Sequence, residues 1–331
     1  MKKYALIGIL ALSAIILITT CVNEENKEKE VEIEIDDDID PSLIIAEGFN
    51  FENFPKIDGS TSTEPLNIIL VCKLLGIKYE WLIEGYGRWY VEPIIKNVVN
   101  SMKFWRLIKT SQTHQSFINL IDKEADIILT ARKMSPDEKA YADSKGAALI
   151  ETPVALDSFI FIINPDNQIT TLTLEQVQNI YTGKIKKWNE VGGNNEDIIP
   201  YIRNQNSGSQ ELMESLVMKD LIIGEYSESP EIISSMGGAF EKVQSELDSI
   251  CYTVYYYKEF ILKDLEVKTI AINGVHPTKE TIANVTYPLN AEVYAVIRSD
   301  LDQESTAYKL YELLQSENGK EVIEESGYVP Y

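Results

Sequence analysis

Histidine and cysteine are scarce in this sequence. Two histidines, His114 and His276, and three cysteines, Cys21, Cys72 and Cys251, stand among 331 residues. They form no Cys/His cluster, so no zinc site of the usual kind and no metal is expected. A serine nucleophile would need a histidine base, and neither histidine lies in a recognisable triad motif, so no enzyme chemistry and no cofactor is expected. Positive charge is short as well: 30 Lys and Arg against 52 Asp and Glu give a formal net charge of −22. That balance excludes nucleic acid as a partner. It also repels anions at long range, so any anion must be held by short-range donors in a sheltered site.

Hydrophobic residues at 44% and charged residues at 25% are ordinary globular values. The length suits two domains, or two lobes of one fold. No internal repeat is visible. The first twenty residues differ from the rest. Lys2 and Lys3 precede an uncharged, mostly aliphatic run from Ala5 to Thr19, and Cys21 follows Thr20. A basic start, an apolar stretch and a small residue before a cut describe a secretory signal. A cysteine directly after it is similar to the lipobox of bacterial lipoproteins, which implies a signal peptide over residues 1–20, lipidation of Cys21, and a chain anchored to the outer face of the cell membrane. Thr20 departs from the Gly, Ala or Ser usual before that cysteine, and an uncleaved anchor helix is the alternative. Cleavage would leave 28 basic and 52 acidic residues, a net charge of −24. The acidic stretch that follows, with Lys27-Glu28-Lys29-Glu30 and Asp36-Asp37-Asp38, reads as a solvated linker, giving residues 21–45 as anchor cysteine plus linker. Cys72 lies on an apolar helix face, where a buried free thiol is expected rather than a disulfide to Cys251.

From Ala46 the elements alternate. Glu64 to Leu75 has helical spacing of Ile68, Val71, Cys72 and Leu75, is apolar on other sides too, and is closed by Gly76. Residues 117–123 read as a helix, 125–129 as a buried strand, and Pro136 opens another helix. Residues 158–164 and 289–298 read as strands, and 306–315 as a helix. Thr173 and Gln176 have capping-box spacing ahead of a helix that Gly183 stops. The alternation implies an α/β fold with largely parallel sheets.

Two short segments carry candidate chemistry. Asp58-Gly59-Ser60-Thr61-Ser62-Thr63-Glu64-Pro65 follows a strand and enters a helix, with proline where a first turn tolerates it. Four small hydroxyl residues therefore lie at a helix N-terminus, where free N–H groups and the dipole favour an anion. Arg203-Asn204-Gln205-Asn206-Ser207-Gly208-Ser209-Gln210 precedes a helix expected over 211–218. Gly208 lets the backbone come close, and Arg203 offers a planar cation able to chelate an oxyanion. Each segment alone also fits a plain helix cap.

These two loops resemble the phosphate-binding proteins of ABC transporters. So do Ile180-Tyr181-Thr182-Gly183-Lys184-Ile185 with Trp188-Asn189-Glu190-Val191-Gly192-Gly193, Gly274-Val275-His276-Pro277-Thr278, and the closing Gly327-Tyr328-Val329-Pro330. The matches run in order over roughly residues 46–331. The resemblance implies a two-lobed periplasmic-binding-protein type II fold, with mixed sheets flanked by helices and two crossing hinge strands near 153–164 and 288–298. Lobe one would be 46–155 plus 290–331, and lobe two 156–289. Residue by residue, it implies ligand binding by Ser60, Thr61, Ser62, Thr63, Arg203, Ser207, Gly208 and Ser209, with Thr113 as the hydroxyl of a second lobe-one helix. It implies a monomer that captures inorganic phosphate and docks on an ABC permease.

Two departures bear on the ligand. The family's aspartate, which accepts the proton of hydrogen phosphate, falls at about Ala131, within Leu129-Thr130-Ala131-Arg132-Lys133, and no acid is present there. Asp157 is a substitute acceptor or a hinge cap. Cys251 stands where relatives commonly have glycine. Sulfate, molybdate or a small organic ligand bound among Tyr252, Tyr255, Tyr256 and Tyr257 remain alternatives, as does a sensor with the same fold, although those tyrosines also suit packing on a sheet.

Overall fold

The computed structural model describes residues 37–331 apart from Tyr86, Glu228 and Ser229, together with a backbone ribbon pairing Ile15–Ile18 with Val31–Glu34. The lipidation expected at Cys21, and most of the expected signal segment, lie outside the described residues.

The centre of the fold is one mixed sheet. Its strands run in the order Glu231–Ile233, Ile199–Arg203, Ser249–Val254, Leu149–Ile163, Asn290–Arg298, Ile127–Thr130, Ile57–Gly59. Pairing is parallel toward both ends, and antiparallel where Leu149–Ile163 meets its neighbours and where Asn290–Arg298 meets Ile127–Thr130. The expectation of a largely parallel sheet therefore holds only for the outer strands. Leu149–Ile163 joins the two ends: residues 149–158 pair with Asn290–Arg298, and residues 159–163 with Ser249–Val254. This strand begins nine residues before the expected 158–164. Pro153, which has no N–H to give a ladder, falls at a register shift opposite Val293 and Tyr294, so the strand passes through it.

Glu64–Leu75 is a helix with the bounds its pattern predicts, buried on nearly every side against the sheet. Gly76 closes it with φ 71°, and an added Cβ would sit 2.6 Å from the Asp40 carbonyl oxygen. That contact belongs to a stretch the sequence assigns to linker. Residues 38–45 instead pack on the fold: Asp38 accepts from the Lys96 and Asn97 amides, and the Asp40 amide donates to Gly76. Ordered structure thus begins before Ala46, because Asp38 is held by backbone donors of another segment.

Cys72 and Cys251 are free and buried, and burial pushes both thiols up. No helix among the described residues is long and apolar enough to cross a membrane.

Candidate functional site

Four strands bring their carboxyl ends to one crevice, the usual place for a ligand on an α/β sheet. Ile57–Gly59 runs into Ser60, Ile127–Thr130 into Ala131, Ile199–Arg203 into Asn204, and Glu231–Ile233 into Ser234. Between them lies a cavity of about 170 Å³, below the ~300–1,000 Å³ of sites for drug-sized ligands. Ser60, Thr61, Ser62, Thr113, Arg203, Ser207, Gly208 and Ser209 all line it, as do Gln112, Ala131, Ser234, Ser235 and Tyr257. Among the described residues, no aspartate, glutamate or histidine does.

The first loop is set by Asp58. Its buried carboxylate accepts from the Gly59 amide at 2.7 Å, the Ser111 amide at 2.9 Å and Asn119 Nδ2 at 2.6 Å, which ties the strand end to the approach of the next helix. That helix is Thr113–Ile121, four residues earlier than the expected 117–123. Gln112, at φ 69° and ψ 163°, turns the chain into it and places Thr113 in its first turn. Ser60 Oγ then lies 2.8 Å from Thr113 Oγ1 and accepts from the Ala131 amide at 3.1 Å. Thr63 is different. It is buried outside the cavity lining, with Oγ1 3.0 Å from the Ser60 carbonyl oxygen and 2.9 Å from that of Leu129. Its hydroxyl braces the loop, so the structure does not place it against a ligand.

On the other side, Gly208–Leu212 is the helix, continued by a π-helical turn at Met213–Met218, so it starts three residues before the expected 211. Ser207 caps it by accepting from the Gln210 amide. The reciprocal half of a capping box is missing, because Gln210 Oε1 accepts from the Arg203 amide and from the Tyr252 hydroxyl. Gly208 faces Thr113: a Cβ added there would sit 2.6 Å from Thr113 Oγ1.

Arg203 is the charged residue of the cavity. Its Nε donates to the Ile233 carbonyl at 3.0 Å, Nη1 to Ser209 Oγ at 3.2 Å and Nη2 to the Ser234 carbonyl at 3.4 Å. No carboxylate pairs with it among the described residues, and burial holds its pKa below the ordinary arginine value. A buried cation without a counter-ion is costly; a bound anion removes that cost. First turns of the helices from Thr113, Gly208 and Met236, and the short 3-10 turn Thr61–Thr63 ahead of Glu64–Leu75, face the same space, the helices adding their positive ends.

The Met236–Ser245 helix was not anticipated as part of the site. Its signal was present: Ser234-Ser235 before Gly237-Gly238, with Ser235 capping the Gly238 amide. Of the tyrosine cluster, Tyr257 reaches the cavity. Tyr252 supports Arg203 from below, accepting from its amide at 2.9 Å, and Tyr256 stacks on Tyr328 with centroids 3.8 Å apart. Asp157 is buried away from the cavity, its Oδ1 accepting from the Ser158 and Tyr256 amides. His114 pairs with Glu138 at 3.0 Å.

A family model described as a PBP superfamily domain matches residues 102–316. The chain belongs to the PBP superfamily. Among its relatives, the phosphate-binding protein PstS of Borreliella burgdorferi is 27% identical over 215 residues, covering 63% of this chain and 74% of that one. PstS of Staphylococcus epidermidis is 24% identical over 336 residues, covering 99% and 89%. Among solved structures, a putative phosphate ABC transporter substrate-binding protein from Clostridium perfringens, with bound phosphate, superposes with a TM-score of 0.62 at 23% identity, covering 84% of this chain and 99% of that one. The α/β fold with mixed sheets is thus that of phosphate-binding proteins, and this PBP-superfamily chain stands among binding proteins rather than enzymes.

Proposed function

We propose that this PBP-superfamily chain captures inorganic phosphate outside the cytoplasm and delivers it to an ABC permease. The observation that carries the reading is Arg203: a buried guanidinium that, among the described residues, has no carboxylate partner, in a cavity of hydroxyls and helix first turns that no described acid lines. Ser60, Thr61, Ser62 and Thr113 act from one side, and Arg203, Ser207, Gly208 and Ser209 from the other. We place the first group on a lobe of residues 38–155 and 290–331, the second on a lobe of 156–289, with Leu149–Ile163 crossing between them. Capture closes the cleft, and the closed monomer docks on the permease. Cys21 carries the lipid that keeps the protein at the outer face of the membrane.

A second reading concerns the ligand. Ala131 lines the cavity and gives its backbone amide to Ser60, and it carries no carboxylate to take a proton from hydrogen phosphate or repel a fully ionised anion. Sulfate or molybdate then fits the same donors. Titration calorimetry on protein stripped of ligand, with phosphate, sulfate and molybdate, decides. Micromolar or tighter phosphate binding carries the main reading, preference for another oxyanion replaces the ligand, and silence toward all of them sinks the function.

A further inference from the structure

One stretch of this acidic chain contains no acid. Residues 93–121 hold Lys96, Lys103, Arg106 and Lys109 and neither aspartate nor glutamate. They include the helix Val98–Leu107, whose inner face buries Asn100, Phe104 and Leu107. Its outer face is apolar too. Val98 is 73% exposed, Val99 60%, Met102 55% and Trp105 43%, and Ile94, just ahead of the helix, is also exposed. Positions 98, 102 and 105 share one side of a helix, so these side chains form a stripe rather than scattered exposures. Lys103 pairs with Glu52 and Lys109 with Glu124. Arg106 is exposed and makes no ion pair among the described residues, and Lys96 is exposed with its charge acting on the nearby Asp38 carboxylate.

We infer that the Val98–Leu107 helix is a membrane-contact element that lays the folded protein on an anionic lipid surface. Two observations point to lipid as the occupant. The first is where the chain enters the fold. Asp38 accepts from the Lys96 amide at 2.7 Å and the Asn97 amide at 3.0 Å, the two residues just ahead of this helix. The chain leading from residues 5–21, whether held by the Cys21 lipid of the proposed function or by the apolar run itself, therefore enters the fold beside the stripe. The second is charge. Valine, methionine and tryptophan flanked by lysine and arginine suit the headgroup boundary, where apolar groups enter and cations meet lipid phosphates. The acidic remainder of the surface is repelled by the same lipids, so this face is the one that turns toward them.

The test uses the full chain reconstituted into protein-free vesicles of phosphatidylcholine and phosphatidylglycerol with brominated acyl chains, which quench tryptophan on contact. Quenching of the wild-type chain should fall by at least about twofold in Trp105→Phe, and Trp105 quenching by a similar factor in Val98→Ser/Val99→Ser/Met102→Ser, where the tryptophan is kept. Replacing phosphatidylglycerol with phosphatidylcholine should weaken it. Unchanged thermal unfolding in both variants shows that the fold is intact. Equal quenching in wild type and Trp105→Phe overturns the inference, and so does quenching of the triple serine variant as strong as that of the wild type. Because the readout is the part of the signal that Trp105→Phe removes, set against Trp81, Trp89 and Trp188 in the same chain, it does not depend on whether Cys21 is lipidated.

Discussion

Replacing Arg203 by methionine separates a binding role from a structural one, because the two predict opposite effects on stability. The substitution keeps much of the stem and removes the planar cation. With ligand bound, a buried, hydrogen-bonded charge pair is broken on one side, which costs about 2–4 kcal/mol, or roughly 30- to 700-fold in affinity. Without ligand the balance differs. The Ile233 and Ser234 carbonyls and Ser209 Oγ lose a donor, at about 1 kcal/mol each. Against that, an unpaired guanidinium no longer has to be desolvated, a saving of several kcal/mol. The ligand-free variant should therefore melt close to, or above, the wild type while binding far more weakly. Calorimetric titration and thermal unfolding on the same preparations check both halves. Affinity within about twofold of wild type refutes the assignment of Arg203 to the site. A large loss of ligand-free stability would instead make it a structural arginine.

Gly208→Ala sets a methyl 2.6 Å from Thr113 Oγ1, so it should weaken binding at least about tenfold, the scale of an overpacked contact. Thr113→Ala, added to it, should recover part of that loss in titration, and no recovery would mean that the two residues do not meet in the bound form. Ala131→Asp places a carboxylate on the cavity wall; it should abolish sulfate binding, by about 100-fold or more, while sparing hydrogen phosphate, whose proton it can accept. Equal losses for both anions would show that the position does not face the ligand. Burial pushes the Asp157 carboxyl up to about 7, above the ~3.9 of an unfolded chain. The folded state therefore holds a proton that the unfolded state releases, and stability falls as pH rises from about 4 to about 7, by on the order of 4 kcal/mol. In Asp157→Asn, which keeps an acceptor for the Ser158 and Tyr256 amides, urea titrations across this range should lose that slope; the same slope in both proteins would discard it.

Much of this was legible from residue order, and the parts that were not share a cause. Glu64–Leu75 was readable because Pro65 and Gly76 punctuate it and its side chains are apolar throughout. The two hydroxyl loops were readable because serine, threonine and glycine cluster for few other reasons than caps and close backbone approach. Thr63 looked equivalent to Ser60, Thr61 and Ser62; which of four adjacent hydroxyls turns inward is settled by the Leu129 carbonyl, 66 residues away. The start of Thr113–Ile121 was misplaced because Gln112 adopts a positive φ unusual for glutamine, held by an approach that Asp58 organises. The burial of residues 38–45 was hidden for the same reason: an acidic run reads as solvated until backbone donors of a distant helix are placed beside it. Ser234 and Ser235 carried a local signal, yet only the sheet order brings the end of Glu231–Ile233 beside Arg203.

The charge of the whole chain makes a last prediction whose sign is opposite to that of most anion-binding sites. A net charge of −22 repels an approaching oxyanion at distances where individual donors are not felt. Inside the cavity the order reverses: hydroxyls, amides and one guanidinium act at contact, and no carboxylate of the described residues lines the wall. Salt shortens the reach of the surface field from about 30 Å at 0.01 M to about 8 Å at 0.15 M, and leaves contact interactions in a buried site nearly untouched. Association should therefore accelerate as sodium chloride is raised over that range, while dissociation from the closed cleft changes little, so affinity holds or improves. Stopped-flow measurement of both rates tests this directly. Association that slows with salt would show that Arg203 and the helix first turns project a positive field through the mouth of the cleft, strong enough to overcome the acidic surface around it.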